Sequence, residues 1–215
     1  MAGDRNKMVD RQIARRGVSD SHVLDAMREV PREAFLLKGL EKFAYKDAAL
    51  PIEVGQTISQ PYIVALMIAA AEMRPGDRVL EIGAGSGYAA AVMSRIVHRV
   101  YAIERHDTLS KLAADRLKRL GFHNVEVRTG DGAQGWADVA PFDAILVSAA
   151  GRMVPQALKD QLHIGGRLVM PIGDTRRDQR LTKMTRTSAT GFEVKDLGGV
   201  SFVPLIGEHG WVEER

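Results

Sequence analysis

The chain opens with two stretches, 3–16 and 20–29, in which apolar residues recur at helical intervals among charged ones. That period predicts two amphipathic helices. Gly17 breaks them, and Ser19 or Asp20 caps the second. Pro31 opens a further turn that runs to Phe35. Residues 38–58 carry no clear period and read as an irregular connection ending in the segment GQTISQP, 55–61. Pro61 then begins a strongly apolar helix over 62–73, which stops before Pro75-Gly76.

From residue 78 the pattern changes to short apolar runs alternating with helical ones. Strands are predicted at 78–82, 99–104, 124–129, 142–148 and 166–172. Helices are predicted from the Ala-rich run after Gly87 to 96, over 107–120 closed by Gly121, and over 155–162. Strand–helix alternation of this kind argues an α/β fold, a doubly wound, mostly parallel sheet with helices on both faces. After Gly173, two strand-like runs at 179–187 and 192–197 flank 189–191 and suggest an antiparallel hairpin at one sheet edge. The whole reads as one domain, with N-terminal helices and a loop in 1–60 packed on a core of 61–215.

Composition narrows the function classes. Hydrophobic residues make up 45% of the 215 and charged residues 27%, ordinary proportions for a globular chain. A net charge of +3, with Lys and Arg spread along the chain, gives no reason to expect nucleic acid as a partner. There is no cysteine, so disulfides, thiolate metal sites and cysteine nucleophiles are excluded. The charged N-terminus lacks a signal-peptide core, and the longest uncharged apolar run, 63–71, is too short to span a bilayer. The expectation is a cytoplasmic protein with no membrane partner. The six histidines are scattered, without a metal-ligand spacing, so no metal is expected.

The candidate chemistry begins at Arg78–Ile82 and the turn Gly83-Ala84-Gly85-Ser86-Gly87. A strand, a Gly-rich turn and a helix aim backbone N–H groups at a ligand, and a Cβ in the turn would block its approach. A dinucleotide fingerprint would need a third glycine at position 88, where Tyr88 stands, and no GxxxxGK[ST] run exists. Glu81 sits in the approach to the turn, where a carboxylate suits an ammonium-bearing ligand better than a pyrophosphate. Glu104 ends the next strand, 17 residues beyond Gly87, in the place where an acid accepts from ribose hydroxyls. Asp131, between Gly130 and Gly132, follows the third strand and is placed to meet an adenine amino group. Each acid alone reads as a solvated loop residue; together they converge on the crevice of such a sheet. The run EIGAGSG resembles the first motif of S-adenosylmethionine-dependent methyltransferases.

The fourth strand restricts the acceptor. Exocyclic base nitrogens are usually methylated beside an Asn/Asp-Pro-Pro-aromatic run, whereas this chain has Ser148-Ala-Ala-Gly151. Asp143 lies at the start of the strand, away from where a metal-binding acid would be wanted for catechol-type transfer. The acceptor should therefore need little activation, and a carboxylate, ionised near neutral pH, qualifies. Thr57 and Ser59 bring hydroxyl donors to GQTISQP. Ser59 precedes a helix start that attracts anions, and it equally suits an N-cap.

Several segments together resemble the protein-L-isoaspartate (D-aspartate) O-methyltransferase family. They are GQTISQPYIVA, VLEIGAGSGY, GDG-x-x-GW, APFDAILV-x-AA, VPQAL-x-x-QL and FVPLIG, spread from about residue 8 to 207. The resemblance implies a Rossmann-like methyltransferase fold. It also implies methyl transfer from S-adenosyl-L-methionine to the free α-carboxylate of isoaspartyl and D-aspartyl residues in damaged proteins and peptides. S-adenosyl-L-homocysteine is the co-product, and the ester collapses to a succinimide. By the same resemblance Ser59 is the active-site hydroxyl. The cofactor set becomes Glu81, Gly83, Ala84, Gly85, Ser86, Gly87, Glu104, Arg105, Asp131 and Gly132. The substrate set becomes Thr57, Ile58, Ser59, Phe202 and Val203, and a monomer is expected. Two rival readings are an RNA or metabolite methyltransferase, which would want a basic groove or a metal-binding acid cluster, and a silent cofactor-binding module.

Overall fold

The computed structural model describes residues 1–175 and 178–207; the remainder of the predicted 61–215 core lies outside the described residues. Six α-helices occur among the described residues: α1 Ala2–Met8, α2 Ser21–Glu29, α3 Pro61–Ala70, α4 Tyr88–Ser94, α5 Asp107–Arg119 and α6 Gln156–Asp160. The strands are β1 Leu50–Pro51, β2 Thr57–Ile58, β3 Arg78–Ile82, β4 Arg99–Glu104, β5 Val125–Thr129, β6 Phe142–Val147, β7 Leu162–Ile172, β8 Gln179–Arg186 and β9 Phe192–Val200. β1 and β2 form a small antiparallel pair. The other strands form one sheet in the order β5-β4-β3-β6-β7-β8-β9. Pairing is parallel from β5 to β7 and antiparallel onward to β8 and β9. This is the doubly wound α/β sheet with an antiparallel edge that the pattern predicts.

Side-chain alternation explains why the central strands read as continuous apolar runs. Val79, Leu146 and Val169 enter one core, while Leu80, Ile82, Ile145, Val147 and Leu168 enter the other. Both faces are covered, so successive positions along the middle of β3 and β6 alternate between two cores. Helices α1 to α5 contribute to the first core, and α6 with the turns after β5 to the second. The buried ring of Phe35 meets Tyr88 edge-on at 5.6 Å, which joins the N-terminal segment to α4. Truncating a buried Phe of this kind costs about 3–5 kcal/mol.

Local signals account for most boundaries. Asp20 caps α2 by accepting from the N–H groups of His22 and Val23 at 2.9 and 3.3 Å. In α5, Leu109, Ala113 and Leu117 recur every four residues on the buried side, and Gly121 closes it at φ +82°. Other features differ from expectation. The first helix carries a π-helical stretch at Val9–Ile13 before ending in a short 3₁₀ turn. The apolar helix stops at Ala70 rather than 73, because Glu72 turns to φ +50° ahead of Pro75. The irregular connection contains the β1–β2 pair. β7 begins at Leu162, so α6 is shorter than predicted, and β9 extends to Val200.

Candidate functional site

From β3 the chain moves outward to β4 and β5, then returns to lay β6 on the opposite side of β3. Such a reversal opens a crevice beyond the carboxyl ends of the two central strands. Gly83 leaves β3 beside Ser148, which leaves β6. The Ser148 N–H donates to the Ile82 carbonyl at 2.8 Å, and a β-carbon on Gly83 would lie 3.5 Å from that of Ser148. Gly83 also takes φ +88°, a conformation glycine adopts without strain.

A cavity of about 750 Å³ occupies this crevice. It brings together Glu81, Gly83, Ala84, Gly85, Ser86, Glu104, Arg105 and Gly132 with Thr57, Ile58, Ser59 and Val203. Gly87, Asp131 and Phe202 do not line it. Gly87 starts α4 at φ +88°, and a β-carbon there would crowd Leu117 at 3.2 Å, so its smallness lets α4 approach α5. The Asp131 carboxylate accepts from the Ala133 N–H at 2.8 Å and shapes the turn that presents Gly132. Phe202 lies on a second cavity of about 730 Å³, which is walled by Tyr62, Leu66, Val200 and Arg16. The Arg16 guanidinium stacks 3.4 Å from the Tyr62 ring centre and pairs with Asp47 at 3.0 Å.

Two buried acids define the character of the first cavity. Glu81 is 1% exposed, and its Oε2 has no hydrogen-bond partner. Burial, then the nearby Glu104 charge, pushes its carboxyl well above the usual carboxylate range, against the pull of the Ala90 N–H. A buried acid with an orphaned oxygen suits a ligand that brings a cationic donor. Glu104 accepts from the Gly85 N–H at 2.9 Å and from the His106 N–H at 3.0 Å. A carboxylate has about four acceptor directions, which leaves two for a vicinal diol. The site therefore fits a cofactor with an ammonium group and a ribose.

The acceptor segment owes its shape to the β1–β2 pair. Val54 at φ +57° and Gly55 at φ +65° make the turn, and Leu50 pairs with Ile58. Ile58 is buried and Thr57 is exposed, and both line the cavity together with Ser59. The N-cap of α3 is Gln60, without a side-chain capping bond, so the capping role open to Ser59 is not the one it takes. The hydroxyls of Thr57, Ser59 and Ser148 bond to no described residue.

Three supporting side chains have no counterpart among the sequence candidates. Arg32, fully buried, donates to the carbonyls of Ala44, Ala48 (3.3 Å) and Ser59 (3.1 Å). Arg116 donates to the Ser86 carbonyl at 2.8 Å and pairs with Glu53 at 3.0 Å, tying the glycine turn to the β1–β2 turn. Gln179 clasps both the N–H and the carbonyl of Phe202, at 2.6 and 3.1 Å. The segment continues as Val203 and Leu205 bond Ala150 through backbone groups. Among the described residues no group of three or more His, Asp and Glu could hold a metal ion, and no helix is long and apolar enough to cross a membrane.

Comparison with known proteins follows this geometry. The profile of the family protein-L-isoaspartate(D-aspartate) O-methyltransferase matches residues 3–210. Protein-L-isoaspartate O-methyltransferase 1 of Rhodopseudomonas palustris is 56% identical over 210 residues, 98% of this chain and 86% of the relative. The Methylorubrum extorquens protein-L-isoaspartate O-methyltransferase is 58% identical over 94% of this chain and 88% of its own. A solved protein-L-isoaspartate O-methyltransferase superposes with TM-score 0.87 at 33% identity, over 96% of this chain and 67% of that one. A Plasmodium falciparum structure assigned to the same enzyme class, in complex with S-adenosyl-L-homocysteine, gives TM-score 0.80 at 26% identity over 94% of this chain and 98% of that one.

Proposed function

The chain belongs to the protein-L-isoaspartate(D-aspartate) O-methyltransferase family, and from that premise we propose how its two cavities divide the reaction. The enzyme transfers the methyl group of S-adenosyl-L-methionine to the free α-carboxylate of L-isoaspartyl and D-aspartyl residues in damaged proteins. The ester then closes to a succinimide. S-adenosyl-L-methionine supplies a methyl group already activated by its sulfonium, and S-adenosyl-L-homocysteine leaves. Glu81 receives the ammonium group and Glu104 the ribose hydroxyls, while Gly83 to Ser86, with Arg105 and Gly132, form the walls. Gly87 and Asp131 act from behind, through helix packing and turn shape.

On the other side, Ser59 donates to the acceptor carboxylate and fixes its direction. No base is needed, because the carboxylate is ionised at neutral pH. With a good leaving group and an ionised nucleophile, positioning supplies most of the acceleration. Thr57, Ile58, Phe202 and Val203 hold the peptide around the isoaspartyl residue. One observation carries this reading: Thr57 and Ser59 present hydroxyls to the same cavity that contains Glu81 and Glu104. We extend it to a cytoplasmic monomer acting on protein rather than nucleic acid, in which 1–60 brings the acceptor segment to the 61–215 core.

The test uses tritium-labelled cofactor and a peptide pair differing only in aspartyl or isoaspartyl linkage. Misplacing the carboxylate by about a bond length costs ~100-fold, so base-labile label should appear on the isoaspartyl peptide and almost none on its twin. Equal labelling, or a methyl group that survives mild base, would overturn the reading.

A further inference from the structure

The two cavities are walled separately over most of their surfaces, and they share four residues: Thr57, Ser59, Ser148 and Val203. Methyl transfer has to take place where the cofactor space meets the peptide space, so these residues border the reacting atoms. Three of the four carry hydroxyls. Two of those hydroxyls come from the GQTISQP segment and the third from the residue that follows β6. Ser148 stands at the point where the strand order reverses, hydrogen-bonded through its N–H to Ile82 and side by side with Gly83. Its hydroxyl bonds to no described residue, and it is only partly buried.

We propose that Ser148 is a second catalytic hydroxyl, which donates to the acceptor carboxylate from the end of β6 while Ser59 donates from the GQTISQP segment. The inference rests on the assignment of Ser59 to the acceptor carboxylate. A carboxylate has two oxygens and about four acceptor directions. One donor fixes one oxygen and leaves the group free to rotate about the bond that carries it. A second donor from a different element removes that rotation and presents one lone pair of the attacking oxygen to the methyl group. In the displacement that lone pair forms the new C–O bond while the C–S pair leaves with sulfur. No proton changes place, so neither serine acts as a base. A serine hydroxyl reaches its partner through one rotatable bond, so it orients the carboxylate without adding charge beside a cationic cofactor.

The experiment compares Ser148→Ala, Ser148→Thr and Ser59→Ala in the full chain, at saturating cofactor, with the isoaspartyl peptide as substrate. Losing one hydrogen bond to a charged group predicts that Ser148→Ala lowers kcat/KM about ten- to a hundredfold. Ser148→Thr, which keeps the hydroxyl, should recover most of the loss. Cofactor affinity by calorimetry and the melting temperature should stay where they were, which a purely structural role would not allow. Unchanged turnover in Ser148→Ala, or a loss explained wholly by weaker cofactor binding, overturns the proposal. If Ser59→Ala lowers turnover while Ser148→Ala does not, only this inference falls. If neither variant alters turnover, the assignment of the acceptor side falls with it.

Discussion

Arg32 offers the sharpest test of how the N-terminal segment serves the site. It is fully buried and, among the described residues, has no carboxylate partner; its guanidinium donates to the carbonyls of Ala44, Ala48 and Ser59, with Nε left unbonded. Burial lowers its proton affinity, yet a guanidinium stays charged throughout the working pH range. The arginine therefore costs several kcal/mol in desolvation and recovers it through charge-assisted bonds to the carbonyls. Arg32→Met keeps the volume and removes both terms, but it leaves the carbonyls without donors. Ala48 is exposed and its carbonyl can turn to water, so two acceptors are orphaned at about 1–3 kcal/mol each; less the relieved desolvation, the net loss is about 1–3 kcal/mol. For a chain of this size that corresponds to a fall in Tm of roughly 2–12 °C.

A second signature separates positioning from bulk stability. The Ser59 carbonyl is one of the three carbonyls, so loosening it would displace the hydroxyl proposed to donate to the substrate carboxylate. Well below its Tm, the folded Arg32→Met variant should bind cofactor normally and turn over isoaspartyl peptide at least about tenfold more slowly. Arg32→Lys should fall between, since a point charge cannot serve three divergent carbonyls as a planar fork does. Differential scanning calorimetry and single-turnover assays read the two effects. An Arg32→Met variant with unchanged Tm and unchanged turnover would refute this account of the segment.

Glu104→Ala should weaken cofactor binding by about 2 kcal/mol, roughly thirtyfold, by removing the acceptors for the ribose hydroxyls; unchanged affinity by calorimetric titration in a folded variant would take Glu104 out of the site. Glu81 tests electrostatics in the cofactor-free protein, because burial and Glu104 raise its carboxyl above the ordinary value of 4.5. An acid raised in the folded state contributes stability that is fully present below its unfolded pKa and is lost as pH rises through the folded value. Glu81→Gln should thus raise the neutral-pH Tm of the cofactor-free protein and flatten its decline with pH above about 4.5, while weakening cofactor affinity; melting curves of the two proteins that stay parallel across pH would exclude it.

What was legible in the sequence depended on how local its cause was. The strands at Arg78–Ile82 and Arg99–Glu104 were readable to the residue, because burial on both faces leaves a continuous apolar run ended by a glycine or an acid. The β1–β2 pair was not, since strands of two residues show no period and the turn depends on a positive φ at Val54. β7 begins earlier than the predicted 166 because Gly165, at φ +82°, reads as a break rather than as interior strand. In the cavity, the glycine turn, Glu81 and Glu104 were visible because they are compressed into two strand ends and a turn. Arg32, Arg116 and Gln179 were invisible because their partners lie 27, 30 and 23 residues away. In a one-dimensional reading Arg116 is only one of three basic residues in the last turn of an amphipathic helix.

The distribution of charge between the cavities has a reason in the reaction. The cofactor side holds two buried carboxylates, whereas the four residues shared with the peptide side are uncharged. An arginine at the junction would bind the acceptor carboxylate more tightly than a serine does. It would also stand beside the cofactor's positive centre, where two like charges 4 Å apart repel by about 4 kcal/mol at an effective dielectric of 20. Its attraction would be strongest for the ionised carboxylate and would weaken as the ester forms, so part of the added binding would oppose the chemical step. Hydroxyl donors avoid both penalties. They fix direction with little added field, and they bind the neutral ester weakly enough to release it. Selectivity then rests on where the carboxylate sits rather than on its charge, which normal and isomerised aspartyl residues share. On the proposed reading such a site has to be held rigidly from outside, and Arg32, Arg116 and Gln179 bond the backbone carbonyls of Ser59, Ser86 and Phe202.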